Sequence, residues 1–160
     1  MIEAYSDFDW CGDKVDRKST FGYLYWFLNA SISWCSKNQS VVALSSCEVE
    51  YISSSKVACQ ILWLESLLEE LKMEYKRQVQ LFVDNKSTIS SAKSLVSHGR
   101  SKHIETKFHF LRDQVSKGKL ELIYCYTKLQ VIDGFTKSFK LERVKQLRNF
   151  LGLISIEHLD

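Results

Sequence analysis

The apolar period of this chain first changes near residue 45, and that change limits what it can fold into. Before it, apolar residues recur in steps of two. Residues 2–6 alternate and predict a short strand ending at Asp7. The aromatic-rich residues 21–28 predict a second strand, Asn29-Ala30 a turn, and residues 31–36 a third strand. Three such strands in succession read as an antiparallel meander. After the change, Ser45 or Ser46 offers an N-cap with Glu48 near the positive helix end. Val57, Ile61, Leu64, Leu68 and Leu71 then step by 4, 3, 4 and 3, one stripe of a long helix. Residues 78–83 alternate as a fourth strand, with Val79, Leu81 and Val83 on one face and Phe82 on the other. Residues 87–95 predict a short helix. Ile104, Phe108, Leu111 and Val115 mark another, with Gly118 as its stop. Leu120, Leu122, Tyr124 and Tyr126 line a fifth strand. A short helix at 131–136 and one carrying Leu141, Val144, Leu147 and Leu151 follow. The order β-β-β-α-β-α-α-β-α-α implies an α/β fold, a mixed five-stranded sheet flanked by helices.

With 160 residues, no proline and six glycines, the chain offers no linker, repeat or low-complexity segment. It reads as one domain over residues 1–153 with a tail at 154–160. No apolar run reaches the length of a membrane span, and the N-terminus lacks the basic start and apolar stretch of a signal peptide. Five dispersed cysteines without a CxxC argue against a zinc site or disulfide framework, so an intracellular location without secretion is expected. The net charge of +3 alone says little about nucleic acid. Basic residues do cluster at Arg100, Lys102, His103 and Lys107, and at Lys137, Lys140, Arg143, Lys145 and Arg148. Each cluster suits phosphates or an ordinary solvated helix face.

Acidic residues fall at element ends. Asp7 closes the first strand, Asp84 the fourth; Glu50 lies early in the long helix, and Asp133 in the short helix after strand five. If strands one and four are parallel neighbours, Asp7 and Asp84 meet at one sheet edge, within reach of the two helices. Carboxylates so gathered must protonate or be matched by cations. Hard oxygen ligands suit Mg²⁺, and two such ions about 4 Å apart serve phosphodiester hydrolysis. Read singly, each acid also has an ordinary explanation: Asp7 and Asp84 as turn formers, Glu50 and Asp133 as surface helix residues.

Several blocks resemble, in order, the ribonuclease H domain of copia-type LTR retrotransposon Pol polyproteins. Residues 5–13, Tyr-Ser-Asp-Phe-Asp-Trp-Cys-Gly-Asp, are similar to YSDxDWxGD, and Arg17 to Thr20 with Gly22-Tyr23 to RKSTSGY. Residues 32–46 resemble ISWxSKKQxxVALSS, and residues 47–51 TEAEY. Asp84-Asn85 resembles the DN of YCDN, residues 101–104 TKHI, and residues 130–137 QLADIFTK. The likeness covers residues 5 to 152.

It implies the mixed five-stranded ribonuclease H fold and a D-E-D-D site. Carried over, the catalytic and metal-binding residues are Asp7, Glu50, Asp84 and Asp133, holding two Mg²⁺ ions (or Mn²⁺). Glu48 is the alternative glutamate, with Glu50 favoured by the motif; Asp9 and Asp13 are loop or outer groups. The implied activity is hydrolysis of the RNA strand of RNA–DNA hybrids, with reverse transcriptase and the other Pol domains as partners. Ser45, Ser46, Asn85 and Ser87 are the candidate backbone or 2′-OH contacts, and Lys37 and Gln39 the phosphate or groove contacts; Ser45 serves equally as a cap. His103 reads as structural or substrate-facing, since histidine suits Mg²⁺ poorly. No histidine occurs at 127–132, so proton delivery to the leaving group falls to water.

The chain departs from the pattern in three ways. The prolines usual before the VxH stretch and after FTK are absent, Ile132 replaces a small alanine beside Asp133, and Gly134 follows it. A glycine inside a helix costs about 1 kcal/mol, and the larger Ile132 is expected to press on Asp133. A decayed copy retaining only a nucleic-acid-binding fold is therefore the alternative. No YxDD, DTG or HHCC motif appears and Met1 stands six residues before Asp7, which reads as a fragment or short open reading frame.

Overall fold

The computed structural model describes residues 2–12, 15, 17–28, 30–40, 45–74, 78–93 and 102–153. Asn29, Arg100, Ser101, the side chains of Lys102 and His103, and the expected tail at 154–160 lie outside the described residues. Strands β1 (Ile2–Asp9), β2 (Thr20–Phe27) and β3 (Ala30–Asn38) come first. Helix α1 (Ser46–Glu70), β4 (Val79–Val83), α2 (Lys86–Lys93), α3 (Lys102–Ser116) and β5 (Leu120–Tyr124) follow. Two 3₁₀ segments, Thr127–Leu129 and Val131–Phe135, lead into α4 (Leu141–Phe150). The short helix expected at 131–136 is thus a 3₁₀ segment, shifted by one residue at its end. Among the described residues no helix is long and apolar enough to cross a membrane.

The sheet order is β3-β2-β1-β4-β5. Strands β1, β2 and β3 pair antiparallel; β4 joins β1 and β5 in parallel. The period of two explains how each strand serves both faces. Ile2, Ala4, Tyr25, Val79, Leu81 and Val83 point to one face, where Val57, Ile61, Leu64 and Leu68 of α1 and Leu111 of α3 complete the main core. The Tyr25 hydroxyl donates to the Val57 carbonyl at 2.8 Å, fixing α1 to β2. Tyr5, Leu24, Trp26 and Phe82 point to the other face, under Val131, Ile132, Phe135, Leu147 and Leu151. Tyr5 and Phe82, paired across β1 and β4, stack with ring centroids 4.7 Å apart.

Strand β1 runs to Asp9, two residues beyond the expected end, because β2 continues to pair with it through Asp9↔Thr20. Asp7 therefore lies inside the strand, opposite Gly22. That glycine admits the 3₁₀ segment to the sheet. A Cβ there would lie 3.0 Å from Thr136 Cγ2, 3.2 Å from Phe135 Cβ and 3.3 Å from Ile132 Cγ1. A second tie fixes the same segment: the buried Gln130 side chain donates to the Ser6 carbonyl at 2.9 Å.

Substituting Gly22→Ala is expected to lower stability by about 1–2 kcal/mol, because three neighbours must give way together. Urea unfolding checks this; an unchanged or higher midpoint would show that the segment has room to spare.

Candidate active site

Four elements bring the acids to one region. Asp7 comes from β1, Glu50 from the second turn of α1, Asp84 from the position after β4, and Asp133 from the 3₁₀ segment. Asp7 and Glu50 are fully buried, Asp133 is nearly so, and Asp84 is partly exposed. The parallel β1–β4 pairing, with Tyr5 opposite Phe82, carries Asp84 alongside Asp7. Ser45 caps α1, its hydroxyl accepting from the Glu48 amide at 3.2 Å. One half-turn later, Glu50 faces the sheet and feels both Asp84 and Asp7. Glu48, the alternative, stays in the first turn of the helix.

Electrostatics follow from burial. Desolvation pushes the Asp7 carboxyl up to about 7; the Thr136 hydroxyl and Lys137 work against the rise, and Asp133 and Asp84 add to it. Burial likewise holds Glu50 well above the ordinary carboxylate range, with Asp84 and Asp7 raising it further. Burial raises Asp84 as well, against the pull of Lys137. Neither carboxylate oxygen of Glu50 has a hydrogen-bond partner among the described residues.

The cation in this cluster is Lys137. Its Nζ lies 3.1 Å from Asp133 Oδ1 and 3.3 Å from Asp7 Oδ2. Burial lowers the Lys137 ammonium, but Asp7 and Asp133 outweigh it and the net shift is upward. The Thr136 hydroxyl donates to Asp7 Oδ2. Neither Thr136 nor Lys137 stands out in the sequence as a site residue. The available signal is the step of four from Asp133 to Lys137, which acquires meaning only once the segment is docked against β1 and β2.

The expected substrate contacts lie in different settings. Gln39 is buried, its amide donating to the Val49 carbonyl at 3.3 Å and to Ser53 Oγ at 3.1 Å. This makes it a brace between β3 and α1 rather than a groove contact. Asn85 Oδ1 accepts from the Ser87 and Thr88 amides at 2.9 and 3.3 Å, the cap of α2. Ser45, Ser46, Ser87 and Lys37 are exposed. Ile132, expected to press on Asp133, packs in the second core, and Asp133 accepts from Lys137. Gly134 is exposed, yet a Cβ there would meet Leu147 Cδ1 at 3.0 Å. The missing side chain therefore also makes room for α4.

The donor set fits a hard divalent cation: carboxylate oxygens, one pair of them buried and unpartnered at Glu50. Among the described residues, however, no three His, Cys, Asp or Glu are gathered tightly enough to hold a metal ion. Lys137 bridges two of the acids instead.

A carboxyl raised in the folded state favours folding while protonated. That contribution is complete below the unfolded value of about 4 and is lost as pH rises through the folded one, about 7 for Asp7. Without metal, stability should therefore fall as pH rises from about 4 through about 7. Glu50→Gln should stabilise the metal-free protein by about 1–3 kcal/mol near pH 8 and by much less near pH 5. Thermal unfolding across this range tests it; a gain independent of pH would contradict the assignment.

No protein-family model matches the chain. It is 34% identical over 155 residues to the "Retrovirus-related Pol polyprotein from transposon TNT 1-94" of Nicotiana tabacum, covering 97% of this chain. Over 155 residues it is 36% identical to the corresponding polyprotein from transposon RE1 of Arabidopsis thaliana, again covering 97% of this chain. The chain spans 12% and 11% of those two polyproteins. Its fold is similar to that of LC11-RNase H1, isolated from compost and crystallised with an RNA/DNA hybrid. The TM-score is 0.55 at 13% identity, over 84% of this chain and 93% of that one. The chain is therefore a ribonuclease H-fold domain related to the Pol polyproteins of plant retrotransposons.

Proposed function

We propose that this chain is a metal-dependent endonuclease that hydrolyses the RNA strand of RNA–DNA hybrids, as the ribonuclease H part of a copia-type reverse transcriptase polyprotein. The observation that carries this reading is the convergence of four acids from four elements, with Glu50 buried and unpartnered among them. Such an arrangement is costly for folding alone, and perturbed carboxylates of this kind cluster at functional sites.

Asp7, Glu50, Asp84 and Asp133 are the residues that would hold two Mg²⁺ or Mn²⁺ ions. Bound there, the metals supply a water of lowered pKa and offset charge on the leaving oxygen. The chain's own residues do the rest. Gly22 and Gln130 hold the Asp133 segment against β1, so the acids keep their spacing. Burial of Asp7 and Glu50 keeps bulk water from screening them. The exposed Lys37 suits a phosphate, and the Ser45, Ser46 and Ser87 hydroxyls suit backbone or 2′-OH groups on the substrate. Asn85 holds the turn that follows Asp84. The LC11-RNase H1 structure with an RNA/DNA hybrid supports the choice of substrate, and the polyprotein relatives support reverse transcriptase and other Pol domains as partners.

A hybrid labelled on its RNA strand should be cut in Mg²⁺ and left intact in chelator. Asp7→Asn and Asp84→Asn should each reduce cleavage to the chelator level. Equal cleavage by wild type and both variants, or none by any, would sink the enzyme reading and leave a nucleic-acid-binding module.

A further inference from the structure

The acids that would share a metal already share a cation. Lys137 Nζ contacts Asp133 at 3.1 Å and both oxygens of Asp7, at 3.3 and 3.4 Å. These distances are those of close ion pairs, made to two carboxylates that are almost wholly buried. An ammonium is a compact point charge with three donors on a flexible four-carbon stem. It can therefore sit between two carboxylates as a small ion would, and it can also leave. A third of the Lys137 side chain is exposed, so the way out to solvent is open.

A metal ion placed between Asp7 and Asp133 needs the same oxygen lone pairs and the same space. Two cations cannot occupy it together, since their mutual repulsion would add to the lost contacts. We infer that Lys137 is a tethered counter-cation, bridging Asp7 and Asp133 in the metal-free protein, and that a divalent metal binds in competition with it. This rests on the four-carboxylate reading above. It adds to that reading a residue that lowers metal affinity while stabilising the metal-free fold. The competition has a definite sign: a lysine that merely braced the site would lower metal affinity when removed, whereas a competitor raises it.

Titration of the full 160-residue chain with Mn²⁺ alone, reading free Mn²⁺ by paramagnetic resonance, separates these outcomes. Lys137→Met should bind Mn²⁺ about tenfold more tightly than wild type, within the usual range of coupling between two binding events. The metal-free variant should melt lower than wild type and gain more from added Mn²⁺. Lys117→Met removes an exposed lysine paired with Asp113 on α3, and controls for loss of positive charge anywhere on the surface. It should match wild type. Lys137→Gln, which keeps a polar side chain, serves if the methionine variant does not fold. Equal or weaker Mn²⁺ binding by the Lys137 variants overturns the inference, as does equal tightening by Lys117→Met. If wild type binds Mn²⁺ and Asp7→Asn does not, the four-carboxylate reading survives that loss. If wild type and Asp7→Asn bind alike, or neither binds, that reading falls and takes the inference with it.

Discussion

Like charges held where water cannot reach them cost free energy. In this protein Asp7, Glu50, Asp84 and Asp133 meet beside the central strands β1 and β4, two of them fully buried. The fold answers with one ammonium, one hydroxyl and protonation. Lys137 spans Asp7 and Asp133, Thr136 donates to Asp7, and the raised carboxyl values of Asp7 and Glu50 leave protons where cations are lacking. Much else follows from keeping those four groups in place. The β1–β4 parallel pairing, the cap at Ser45 and the close seat of the 3₁₀ segment over Gly22 each position one acid against the others.

That seat is unusual in how little it tolerates. Gly22 inside β2 gives up a side chain that would pack, and Ile132 and Phe135 of the 3₁₀ segment, with Thr136 after it, fill the space. Gln130 adds a buried donor to the Ser6 carbonyl, one residue from Asp7. Close packing of this kind transmits displacement with little damping. The second core beneath α4, built on Ile132 and Leu147, is thus part of what holds Asp133 in position.

Periodicity read the sheet well because period-two alternation reports directly on which face is buried. Val79, Leu81 and Val83 against Phe82 fall on the two faces that the sequence predicts. Gly118, expected as the stop of α3, has the positive φ of 68° that favours glycine. The end of β1 was less legible, because how far a strand extends depends on whether its partner still pairs, and β2 pairs as far as Asp9. Lys137 resembled the other basic residues near the C-terminus, since nothing local separates a solvated lysine from one drawn into a cluster 130 residues away. Gln39 misled for the converse reason: a polar side chain between a strand and a helix can brace the interior as readily as it meets a ligand.

The wide separation of the bridged groups has a consequence for how the chain is made. Asp7, Glu50 and Asp84 all precede β5, whereas Asp133, Thr136 and Lys137 follow it. On a ribosome, β1 to β4 emerge and can pair while the charge that offsets their acids is still unsynthesised. Until residue 137 arrives, Asp7, Glu50 and Asp84 lack its ammonium, and mobile counter-ions or protons must stand in. Docking of the last third of the chain then closes a loop of 130 residues between Asp7 and Lys137 and supplies the missing charge in the same event.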